Sequence, residues 1–158
     1  MGDFLGRYYS SRDRLFLNSV QAELFSDIVQ VVVTLYKIAP TETLTNIYGE
    51  TDQTSGKFYF PGIEITCLRD GGDITTEDAE FGPDRKQNSV FMFREKMLQQ
   101  VNFFPQVGDL ILFNERYHEI DNVVQEQFLA GQPDKSLSIV CNTHYSRLSK
   151  INLVDRQI

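Results

Sequence analysis

The chain has 158 residues, 15 Lys+Arg against 22 Asp+Glu, a formal charge of −7, 2 Cys, 2 His, no Trp and 41% apolar residues. That size suits one domain with its own core, needing neither a disulfide framework nor a metal to fold. The acidic balance argues against a dedicated nucleic-acid binder, the aromatic content against disorder; no apolar run approaches the ~20 residues of a spanning helix, and no secretory start is visible.

Residues 1–14 mix aromatic and charged types, with Tyr8 and Tyr9 beside Arg7, Arg12 and Arg14. They read as an extended arm. Leu17, Val20, Leu24 and Ile28 then recur at helical spacing, flanked by Phe16 and Phe25, and predict an amphipathic helix. Asn18 or Ser19 is its candidate cap. The stretch Ile28–Ile38 is rich in β-branched residues and predicts a central strand, ended by Pro40. The segment 41–57 is polar and turn-rich. Lys57–Leu68 predicts a strand bent at Pro61, with Ile63, Ile65 and Cys67 on one face.

Arg69–Asn88 reads as a long loop, on its paired glycines, Gly82–Pro83 and its charge. Ser89–Arg94 is a strand, and Glu95–Val101 a short helix with Met97, Leu98 and Val101 turned inward. Phe103–Phe104–Pro105 is expected to pack under the sheet. Leu110–Phe113, a turn at Asn114–Arg116 and Tyr117–Val124 form the clearest hairpin. Leu137–Thr143 is read as a further strand and Leu148–Leu153 as a terminal one, with residues 151–158 a second arm. Strands separated by turns pair antiparallel. The expected fold is mainly β (α+β): a small antiparallel β-barrel or sandwich with an N-terminal helix and a short inserted helix, in one domain over 1–158.

Catalytic supply is thin. There is no nucleophile elbow, phosphate-cradling glycine loop or dinucleotide fingerprint. Cys141-Asn-Thr-His144 has metal-ligand residue types. In a strand those two side chains point to opposite faces, so the pair meets only across a turn. The other cysteine lies 74 positions away, at Cys67. Both read as thiols of a protein assembled in a reducing compartment. The acids Asp70, Asp73, Glu77, Asp78, Glu80 and Asp84 fall within 15 residues, but their spacing fails the calcium-loop template. A solvated loop is the simplest role for them. A docking loop for a basic partner is the sharper one, with Ile74 and Phe81 as apolar anchors. No enzyme activity, metal or cofactor is expected.

The hairpin also carries a resemblance. Gly108-Asp109-Leu110-Ile111-Leu112-Phe113, a turn, then Tyr117-His118-Glu119-Ile120-Asp121-Asn122-Val123 resembles the neck proteins of contractile-tailed bacteriophages. Tyr36-Lys37, Asn46–Glu50, Phe81–Asp84, Gln127-Phe128 and Ser138–His144 extend the likeness over roughly residues 16–153. The resemblance implies a structural virion protein of the head–tail neck. It implies a homo-oligomeric ring beneath the portal that closes the DNA-filled head and connects it to the tail. Expected neighbours are the portal, adaptor or other neck proteins and the tail terminator, assembled in the host cytoplasm into the virion neck, with no membrane partner. Packaged DNA would pass the channel without sequence-specific binding. The expected interface residues are Tyr8, Tyr9, Asp70, Asp73, Glu77, Asp78, Glu80, Phe81, Asp84 and Leu153. Two other readings stand beside it: a soluble β-barrel binding module with an apolar pocket, and an enzyme whose acidic loop holds a divalent ion.

Overall fold

The structure is a computed structural model, and it describes residues 11–40, 56–79, 82–128, 136–146 and 151–153. Helix α1 spans Ser11–Glu23 and passes into one π-helical turn, Leu24–Ile28. Strand β1 (Val31–Tyr36) follows, then β2 (Lys57–Tyr59), β3 (Ile63–Ala79) and β4 (Gly82–Arg94). Helix α2 (Glu95–Gln100) precedes β5 (Leu110–Phe113), β6 (Arg116–Phe128), β7 (Ser136–Ser146) and β8 (Ile151–Leu153).

Six strands close a barrel in the order β1-β3-β4-β7-β6-β5, with β5 pairing back onto β1 and every barrel pair antiparallel. The period-two pattern explains the interior. Val33 and Leu35 of β1, Ile65 and Cys67 of β3, Phe91 and Phe93 of β4, and Ile139 and Cys141 of β7 all point into one core. Leu98 of α2 and Phe103 complete that core, with Met97 and Val101 packed against it. A second, two-stranded sheet pairs β2 with β8 in parallel. The expected barrel with an N-terminal helix and an inserted helix is therefore present.

Several elements differ from the sequence reading. The helix begins at Ser11, so Asn18 and Ser19 lie inside it rather than at its cap; the Ser19 hydroxyl donates to the Phe16 carbonyl, 2.7 Å. Residues 24–28 are π-helical, which delays β1 until Val31. The bend at Pro61 is a complete break between β2 and β3. There Gly62 lies against β1, where a Cβ would stand 2.4 Å from Thr34 Cγ2. Of the Phe103–Pro105 segment, Phe103 and Pro105 are buried and Phe104 is exposed.

The largest correction concerns Arg69–Asn88. It is not a loop but the arms of the β3–β4 hairpin, paired from Leu68↔Met92 out to Ala79↔Gly82. Ile74, Thr75 and Thr76 are β-branched and suit an extended backbone. The glycines do not break the ribbon; they bend it, with a register shift between Gly71 and Ile74. Gly72 also permits a close approach, since a Cβ there would fall 1.9 Å from the Asn88 carbonyl oxygen. Pairing of β4 with β7 stops at Asn88↔His144, so beyond that rung β3 and β4 pair only with each other among the described strands.

Candidate functional site

The two ends of the barrel are built differently. One end is tied by the Gly108-Asp109 motif. Asp109 is fully buried, and its carboxylate accepts from Lys37 Nζ (2.8 Å), from the Ile38 backbone N–H (3.0 Å) and from the Gln106 backbone N–H (2.8 Å). Lys37 Nζ also donates to the Phe104 carbonyl at 2.7 Å and lies 5.4 Å from the centre of the Phe103 ring. Gly108 takes φ +93, which suits glycine, and its N–H donates to the Ile120 carbonyl, 2.9 Å. Asp109 thus joins the end of β1, the α2–β5 connection and β6. Its role is structural.

Beside this tie lies an apolar groove of about 380 Å³, lined among others by Phe60, Pro61, Ile63, Phe103 and Phe104.

The other end carries the β3–β4 hairpin and a set of cations. Continuing the inward face of β3 past Cys67 places Arg69 toward the barrel mouth. Its guanidinium lies 4.9 Å from the centre of the Phe113 ring, and Nη2 donates to Ser89 Oγ at 3.2 Å. His118 is 1% exposed, with its ring 5.5 Å from Phe91 and 6.4 Å from Tyr145, both edge-on. Burial pushes its pKa down to about 4, and Arg69, Arg116 and His144 push the same way. His118 is therefore neutral near pH 7. Arg116 is exposed and donates to Gln87 Oε1 at 3.2 Å. Among the described residues, His118 Nδ1 and Arg69 Nε are buried without a hydrogen-bond partner.

The expected interface residues separate. Asp70, Asp73, Glu77 and Asp78 lie on β3 and Asp84 on β4, and the register sets Glu77 opposite Asp84. Leu153 belongs to the other sheet, paired with Tyr59, and is exposed. Tyr8, Tyr9, Glu80 and Phe81 lie outside the described residues. The structure adds Arg69, Arg116 and His118, which the sequence reading missed. Their signal was the alternation Ile63, Ile65, Cys67, whose next member is Arg69. It also adds an apolar surface near α1, where Leu15 (68% exposed), Phe16 (66%) and Ile28 (69%) face solvent.

Cys141 and His144 fall on opposite faces of β7, as a strand requires. Cys141 is in the core, and His144 is paired with the Asp121 carboxylate at 2.7 Å. Cys67 and Cys141 are free thiols, both pushed up to about 12 by burial. No group of three or more His, Cys, Asp or Glu side chains is placed to hold a metal ion among the described residues. No helix among them is long and apolar enough to cross a membrane.

No family model and no curated protein sequence matches the chain. Among solved structures, a chain of "Virion of native gene transfer agent (GTA) particle" is similar to it, with a TM-score of 0.43 at 10% sequence identity, over 72% of this chain and 90% of that one.

Proposed function

We propose that the chain is a structural subunit of a phage-type virion. In this reading several copies form a ring in the head–tail neck, around the channel through which packaged DNA passes. The observation that carries it is the exposed apolar surface of α1 and of the π-helical turn that leads into β1. A subunit that works alone gains nothing from leaving Leu15, Phe16 and Ile28 in water, whereas a ring needs a contact that is repeated from copy to copy. The Gly108–Phe113 and Tyr117–Val123 segments that resemble phage neck proteins form the hairpin that closes this barrel. The role calls for no catalysis and no cofactor. The charge of −7 fits a wall that does not hold DNA, since sequence-independent affinity comes from Lys and Arg neutralising phosphates.

The test is the mass of the purified chain by sedimentation, together with images of particles carrying a labelled copy. A ring in solution and label at the neck support the reading. A monomer at every concentration, with no label on the particle, overturns it. The second reading, a soluble binding module, is favoured by the groove beside Phe60 and Phe104. It expects a monomer whose groove protects these rings when an apolar peptide is added.

A further inference from the structure

We propose that the projecting part of the β3–β4 hairpin is an edge-pairing site for the same hairpin of a second copy, so that β4 of one copy adds to β3 of the next. The inference rests on the ring reading and names a contact within the ring.

The site is a pair of open strand edges. Strand β1 leaves β3 at Val31↔Cys67, and β7 leaves β4 at Asn88↔His144. Outward from there the two strands make six further rungs with each other, Ile74↔Gln87 to Ala79↔Gly82. They form a ribbon roughly 20 Å long at ~3.3 Å per residue. Among the described strands nothing pairs with its outer sides. In an antiparallel pair about every second N–H and C=O points away from the partner, so each side of the ribbon carries a row of unpaired donors and acceptors. The chemistry that fits such a row is another extended backbone. A two-stranded ribbon is also marginal alone in water, and a third strand stabilises it.

A second copy is the occupant that the ribbon itself selects. Its two open edges differ, one on β3 and one on β4, and lie at the same level. Another protein's strand covers one edge and leaves the other, whereas a repeat of the ribbon covers both with one kind of contact. Copies turned about an axis along the ribbon keep every β3 running one way and every β4 the other. Strand β4 beside the next copy's β3 is then antiparallel, the sense of the β3–β4 pair itself. Such a head-to-tail contact repeats around a closed ring. The β6–β7 hairpin does not compete for it, because that hairpin projects from the opposite end, past Arg94↔Ser138 to Phe128↔Ser136.

The sequence sets conditions on the pairing. Residues 70–84 hold six acids and no Lys or Arg. Neighbouring ribbons therefore repel at low salt, and charge of this kind guards an open edge against indiscriminate pairing. The contact forms where something else brings the copies together, and the exposed apolar surface of α1 is available for that. Pro83 has no N–H to donate, so the ladder on the β4 side is expected over Arg85–Gln87 rather than at the tip.

The test is backbone hydrogen exchange on the full chain, read by mass spectrometry below and above the concentration of assembly. Sedimentation follows the same samples at about 0.05 and 0.5 M salt, and the higher salt is expected to favour assembly. The outward amides of residues 73–79 and 84–87 exchange fast in the single copy. In the assembly they are expected to slow by at least about tenfold on both strands. The chain with Asp73–Lys86 replaced by Asn-Gly is expected to need at least about tenfold higher concentration to assemble, with calorimetry showing its barrel still folded. An assembly whose ribbon amides exchange as in the single copy, or are protected on one strand alone, overturns the edge pairing and leaves the ring reading standing. Equal assembly by the folded, shortened chain does the same. A wild type that stays single at every concentration and salt overturns the ring reading, and this contact with it. If the shortened chain does not fold, exchange in the wild type decides alone.

Discussion

Asp109 has no solvent to fall back on, so its carboxylate depends on the three donors around it. Replacing it by alanine removes the negative charge that Lys37 faces and leaves two backbone N–H groups without their acceptor. Lys37 retains partial exposure and the Phe104 carbonyl, which softens the loss. Asp109→Ala is expected to destabilise the fold by about 3 kcal/mol, measured by urea unfolding. A change under ~1 kcal/mol would mean that the tie is not what holds β1 to the α2–β5 connection. His118 gives the residue-scale pH prediction. Its folded pKa of about 4 lies below its ordinary 6.5, so the unfolded chain binds the extra proton first on acidification. Stability is therefore full above pH 6.5 and falls as the pH drops from 6.5 toward 4, by up to about 3 kcal/mol. Carboxylates titrate in the same window, so the control is His118→Leu, which should flatten this part of the curve. An unchanged slope in that variant would assign the acid sensitivity elsewhere. The Gly-Asp pair stood out in the sequence, yet its partners Lys37 and Gln106 did not, because nothing local links position 37 to position 109.

At the scale of elements, the legible parts were those whose pattern was local. The alternation through Leu110–Phe113 and Tyr117–Val124 marks two strands whatever surrounds them, and both are present. The same alternation sent Ile63, Ile65 and Cys67 to the core. The β3–β4 hairpin was not legible, because acids and glycines are typical of loops and only the partner strand makes a ribbon of them. Helix α1 was legible in part. Its stripe includes Leu17, Val20, Leu24 and Ile28, but Val20 and Ile28 are exposed while Phe25 is buried. The π-helical turn starting at Leu24 explains Ile28, since a wider turn rotates the following residues out of the α-helical stripe; it does not explain Val20, which precedes it. The hairpin's independence from the core is testable. Beyond Asn88↔His144 the hairpin pairs with no other described strand. Replacing Asp73–Lys86 by Asn-Gly should leave a folded barrel, because that pair suits a tight two-residue turn. The melting temperature is expected to stay within about 4 °C of the wild type, by calorimetry. A collapse of the fold would show that the hairpin belongs to the barrel rather than to what the barrel meets.

On the scale of the whole molecule, two kinds of described surface are left to solvent. One is charged: Arg116 at the start of β6, beside Gln87 of β4. The other is apolar: Leu15, Phe16 and Val20 along α1, Ile28 and Val29 after it, and Val32 on the outer face of β1. Charge sets which partners approach and in what register, and buried apolar area supplies most of the lasting attraction. A role for α1 in assembly therefore makes a prediction that a purely structural role would not. Leu15→Ser with Phe16→Ser removes apolar surface that is already in water. The stability of the single copy should change by less than about 1 kcal/mol, because exposed side chains far from a core contribute little to folding. If α1 is covered in the ring, the same two changes should raise the concentration needed for assembly by at least about tenfold, since two large apolar side chains are worth ~1.5–3 kcal/mol each when fully buried. Denaturant unfolding and sedimentation on the same sample separate the two effects. Equal assembly by the variant would free α1 for a different neighbour. Lost stability would instead place α1 in the fold itself, where its exposed stripe gives no reason to expect it.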